Sequence, residues 1–172
     1  GESREAAIQK MPFEIKSYLK WKGDSKADAL EVEIVQEKSS DLTISDADSD
    51  VIFDEEKKIL MMPEYLQMKK LALKSAQDFL TLYMAIPDKN KSCLPARTTI
   101  LECRQQGFAQ LEKQADFLNN KVYRGSYDEE WSLRKVLRRF IWHDRIHSKA
   151  MYRMAVKTFG LQSVPNVFHF DL

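Results

Sequence analysis

Apolar positions fall into two regimes along the chain, and the change comes near Pro63. Beyond it, Met68, Ala72, Ala76, Phe79 and Tyr83 recur every three or four residues, reinforced by Leu71 and Leu80. That spacing predicts a helix with one wide face to bury, opened by Pro63 and stopped at Pro87-Asp88. Lys89 to Pro95 reads as a loop. Cys103, Gly107, Leu111, Ala115, Leu118 and Val122 trace a second stripe, ended near Gly125. Ser132 is placed to cap a third helix by accepting from an N–H that has no partner in the first turn. Val136, Phe140, His143, His147, Ala150 and Met154 carry that helix to Gly160. Past Pro165, the apolar tail Val167-Phe168-His169-Phe170 is expected to fold back onto the body.

The first sixty residues follow no such period. Phe13, Ile15, Tyr18, Leu19 and Trp21 form a mixed apolar run that ends on a turn signal, Lys22-Gly23-Asp24. Leu30, Val32 and Ile34 alternate with Glu31, Glu33 and Gln36, which predicts a half-buried strand. Ser39 to Asp54 is polar and acidic and reads as a connector or mobile segment. Its Asp46-Ala47-Asp48-Ser49-Asp50 run lacks the Gly and Glu of a calcium loop, since Val51 and Lys57 stand there. A solvated charge run is the expectation.

Isolated helices of this length are marginal in water, so their stripes must bury one another. The expected fold is mainly α: an antiparallel helical bundle over residues 57–172 with a C-terminal tail. Residues 1–56 form a small mixed or β-containing appendage and its acidic connector.

Composition narrows the function classes. The chain has 172 residues, 27 of them basic and 26 acidic, so a net charge of +1 supplies no overall field for nucleic acid or membrane. Cys93 and Cys103 have neither metal-ligand spacing nor disulfide-scaffold density, and reduced thiols in a cytoplasmic protein are the simpler expectation. The start Gly1-Glu2-Ser3-Arg4-Glu5 is too charged for a secretion signal, and no apolar stretch has the length to span a bilayer.

Candidate chemistry gathers at Trp142-His143-Asp144-Arg145-Ile146-His147, in a chain with three histidines. At helical pitch His143 and His147 lie roughly 40° apart, in one sector with Val136, Phe140 and Met154. They are therefore expected on the apolar face, with Arg134, Arg138, Lys149 and Arg153 outside it. Neutral imidazoles one turn apart can share a zinc or nickel ion, with His169 as a third ligand if the tail returns across the bundle. Asp144, about 100° from His143, is placed to pair with a base. The metallohydrolase pattern His-Glu-x-x-His is not met, because Asp144 holds its second position. The cysteines are further candidate nucleophiles without a paired histidine.

From Glu130 to His147 the chain resembles the last helix of the DinB-like superfamily: a Trp-Ser start, a Val-Leu-Arg-Arg centre, and a His-x-x-x-His finish. That resemblance implies an up-down-down-up four-helix bundle and a divalent metal held by three histidines. Two come from the fourth helix and match His143 and His147. The third comes from the second helix and has no match, because the interval from Pro87 to Ile100 holds no histidine and no room for a full helix. The bundle is therefore expected to be incomplete, its second helix shortened, replaced or omitted.

Three functions compete on these grounds. The leading expectation is a DinB-like metal-dependent hydrolase or thiol transferase acting on a small molecule. The second is a non-catalytic bundle that binds a protein partner or forms a homodimer. The third is nucleic-acid binding through the eight Lys and Arg residues between Arg134 and Lys157, set against one Asp. Placement disfavours the third, since Arg134 and Arg139 are roughly 140° apart around the helix.

Overall fold

A computed structural model describes residues 3–24, 30–43, 47–91 and 97–171. Helices dominate: α1 (Arg4–Lys22), the single turn α2 (Ala47–Asp50), α3 (Met62–Ala85), α4 (Ile100–Leu111) and α5 (Leu133–Phe159). A two-stranded antiparallel hairpin, β1 (Tyr123–Arg124) and β2 (Glu130–Trp131), precedes α5.

Local chemistry sets the helix ends. Ser3 accepts the Ala6 N–H at the start of α1, and Gly23 closes it in the left-handed region at φ 82°. Pro63 lies in the first turn of α3. Ser132 accepts the Lys135 N–H, and its own hydroxyl donates to the Glu56 carbonyl, so one side chain starts α5 and ties it to the preceding chain. Gly160, at φ 96°, ends it.

The central pair is α3 and α5, and the two run parallel. Glu64 meets Arg134 near their starts, and Ser75 meets Asp144 about three turns later on both helices. α4 lies antiparallel to α3, with Tyr65 near Glu112 and Ser75 near Arg104. α1 lies antiparallel to α5 on the other side, where Ser17 meets Arg145 and Glu14 meets Lys149. The expected helical bundle forms, but its central neighbours are parallel because the chain crosses back through α4 and the hairpin between them. Trp21, Tyr65, Phe79, Leu82, Phe108, Leu137, Ile141 and Tyr152 share one core. The tail closes it as expected: Phe168 and Phe170 are buried, and Phe168 stacks on Trp21 and Phe170 at centroid distances of 5.7 and 5.4 Å. Each such ring contributes about 1.5–3 kcal/mol by leaving water.

Several expectations need correction. The mixed run Phe13 to Trp21 is part of a helix, whose narrow buried edge is Ser17 and Trp21. No strand forms at residues 30–43: Val32, Ile34 and Val35 are exposed and have no partner strand to cover them. The β structure sits in the hairpin before α5 instead. The second stripe breaks at Leu111, after which the backbone tightens into turns at Lys113 and Gln114, so Ala115, Leu118 and Val122 are not on α4. The inward edge of α4 is Ile100, Arg104, Phe108 and Leu111, leaving Cys103 exposed.

The acidic connector is also not simply solvated. Asp48 pairs with Arg138 and Arg139 at 2.6 and 2.7 Å, and buried Glu56 also binds Arg138. Lys135, fully buried, donates to the Ser49 and Glu130 carbonyls at 2.7 and 2.6 Å beneath the Trp131 ring. Burial lowers the pKa of Lys135, countered by Glu56 and Asp48. Asp46 lies outside the described residues.

A candidate metal-binding histidine pair

The buried face of α5 is Leu137, Ile141, Asp144, Ser148, Met151 and Ala155, together with Lys135, Arg145 and Tyr152. This face is turned about one residue from the expected stripe. His143 and His147 are consequently exposed overall, not pointed into the core. Three of the basic residues expected outside, Arg134, Arg138 and Lys149, are half-buried. The histidines instead stand in the wall of a groove of about 480 Å³ between α3, α4 and α5, with Phe79, Tyr83, Phe140 and Met151 lining its apolar side.

The pair itself converges. The Nε2 atoms of His143 and His147 lie 3.1 Å apart, with ring centroids at 4.3 Å and planes at 70°. Without metal, this is a hydrogen bond in which one Nε2–H donates to the other ring's lone pair. The same spacing suits a shared ion. Two Zn–N bonds of about 2.0–2.1 Å at tetrahedral or right angles place their nitrogens roughly 2.9–3.4 Å apart. The His143 pKa is held below its ordinary value, first by partial desolvation in the groove wall and then by His147 and Arg139. A depressed pKa keeps the imidazole neutral, the form a metal needs.

Beneath the pair runs a closed polar network. Arg104 grips Asp144 with Nη1 at 2.5 Å and Nη2 at 3.0 Å, and Ser75 donates to the same carboxylate at 2.5 Å. Arg104 also donates to the Ala72 carbonyl and lies 4.4 Å from the Phe140 ring centroid. Asp144 does pair with a base, from α4. That pairing removes the carboxylate nearest in sequence to the histidines from service as a ligand or general base.

His169 is exposed at a left-handed backbone position, φ 55°, and its carbonyl accepts from Ser17 on α1. Among the described residues no group of three or more His, Cys, Asp and Glu side chains assembles that could hold a metal. The structure thus brings His143 and His147 together without His169. Cys93 lies outside the described residues. Between α3 and α4 no helix occurs at residues 86–91 or 97–99.

Sequence reasoning missed Arg104, which anchors the groove floor, and Arg97 at its wall. A lone Arg within the apolar edge Ile100–Phe108 was the available signal. The basic run of α5 is mostly engaged internally: Arg134 with Glu64, Arg138 and Arg139 with Asp48, Lys149 with Glu14, and Lys135 and Arg145 buried. No helix among the described residues is long and apolar enough to cross a membrane. No family model, curated protein or solved structure matches the chain.

Proposed function

We propose that this is a DinB-like helical bundle in which His143 and His147 chelate a divalent ion, zinc or nickel, for hydrolysis or thiol transfer. The observation that carries the reading is the 3.1 Å approach of the two Nε2 atoms at the wall of an apolar groove. Helix direction supports it further. If α3 and α5 stand for the first and fourth helices of an up-down-down-up bundle, they should run parallel, as they do. The short α3–α4 connection then stands where the second helix and its histidine would be.

In this reading the bound ion supplies Lewis acidity that acidifies a coordinated water or thiol. His143 and His147 would hold the ion at the groove wall. Phe79, Phe140 and Met151 exclude water from a substrate's apolar part, and Arg97 offers a cation to any anionic part. Arg104 and Asp144 position the helix that carries the pair and do not touch the reacting atoms.

Metal loading tests the proposal. Wild type, His169→Ala and the double variant His143→Ala/His147→Ala are loaded with zinc, desalted and analysed for metal. Wild type and His169→Ala should retain about one equivalent and the double variant none, with circular dichroism unchanged. A wild type that retains none, or a double variant that retains as much, overturns it. A folded protein without metal would leave a non-catalytic interaction bundle as the better reading.

A further inference from the structure

On the opposite side of α5 from the histidines, a second cavity of about 560 Å³ lies between α1, α3 and α5. Its volume falls within the range of small-molecule sites. Tyr18, Met68, Leu71, Ile141 and Trp142 give it an apolar wall, and Ile146 stands 45% exposed at its edge.

Its charged groups are unequally matched. Glu14 and Lys149 pair with each other, and Arg138 is held by Asp48 and Glu56. Arg145 is different. It is 9% exposed, and among the described residues its hydrogen bonds reach only neutral oxygens, Ser17 Oγ at 2.9 Å and the Phe168 carbonyl at 3.4 Å. Four rings surround its guanidinium, with the Tyr18, Trp21, Phe168 and Phe170 centroids at 5.4–5.7 Å. Aromatic faces recover part of the cost of burying the cation, but they supply no counter-charge. Burial accordingly lowers the Arg145 pKa, with Glu14 opposing from a distance. Arg138 Nη2, on the same wall, is buried without a hydrogen-bond partner.

A buried cation with no acid hydrogen-bonded to it among the described residues, at the wall of an apolar cavity, matches one kind of molecule. We propose that this cavity binds an amphipathic carboxylate, its head on Arg145 and its hydrocarbon or aryl body against Tyr18, Met68 and Trp142. A carboxylate gives the guanidinium the charge-assisted acceptor it lacks, and the body displaces water from apolar wall. The Glu14 carboxylate would oppose an anion, but its ion pair with Lys149 offsets it. This site is independent of the histidine pair.

Octanoate is the probe, with octanamide as its uncharged counterpart, because substituting core Arg145 risks unfolding the chain. Calorimetric titration of wild type should show one saturable octanoate site, at least tenfold tighter than octanamide. Ile146→Trp, filling the exposed edge of the cavity, should weaken octanoate at least tenfold while the thermal melt stays unchanged. Equal affinity for acid and amide, no saturable octanoate binding, or undiminished binding in a folded Ile146→Trp protein overturns the proposal.

Discussion

Asp144→Asn removes one charge from the most enclosed ion pair among the described residues. The carboxylate is 2% exposed and the Arg104 side chain 8%, so neither charge is solvated to any extent. Neutralising Asp144 leaves Arg104 without a charged acceptor, facing only the new amide oxygen, the Ala72 carbonyl and the Ser75 hydroxyl. Breaking one side of a buried pair costs about 3–5 kcal/mol, because the surviving charge stays desolvated. Set against the roughly 5–15 kcal/mol that holds a typical domain together, the loss is about a fifth or more. Replacing both partners with apolar residues, as in Arg104→Met/Asp144→Leu, should bring stability back to within about 1 kcal/mol of wild type, or above it. Urea unfolding followed by circular dichroism, with slopes compared, measures both. The single-variant cost should hold between low and high salt, since a buried pair is poorly screened. An Asp144→Asn cost under about 1 kcal/mol, or a double variant no more stable than the single, would refute this view of the network.

Three further outcomes follow from the same contacts. Lys135→Met keeps the stem beneath Trp131 but strips the donor from two carbonyls, and should cost about 1–3 kcal/mol in urea unfolding. Asp48→Asn removes the carboxylate shared by Arg138 and Arg139, and limited proteolysis should then cut residues 30–53 faster than in wild type. In metal-free protein the depressed His143 pKa means the unfolded chain binds its proton more readily. His143 therefore contributes stability above about pH 6.5 that is lost as pH falls through its folded value. A His143→Gln variant should flatten that acid-side slope, and an unchanged slope would count against the assigned desolvation.

Much of the bundle was legible because its ends are written in local chemistry. Ser132 and Gly160 bracket α5, and Pro63 opens α3, through hydrogen bonds and backbone angles that need no tertiary context. The tail was legible too, since Phe168 and Phe170 had nowhere else to go. The face of α5 was not. Two apolar stripes lie one residue apart on it, and the buried one is interrupted by Asp144 and Ser148 and flanked by Lys135 and Arg145. Hydropathy assigns such residues to solvent, whereas here α4 and α3 bring Arg104 and Ser75 to Asp144, and α1 brings Ser17 to Arg145. The acidic segment was misread for the same reason: Asp48 and Glu56 look solvated until Arg138 is seen beside them. The approach of His143 to His147 was legible from helical spacing alone. Its distance from the core was not, because that depends on which neighbouring helices cover α5.

The most direct measurement of the metal proposal is a long-range proton–nitrogen NMR spectrum of the three imidazoles during zinc titration. The Nε2 resonances of His143 and His147 should shift together and stop at one equivalent, while His169 stays where it was. A spectrum in which the pair does not respond, or in which His169 moves in the same step, would contradict a site built from His143 and His147 alone.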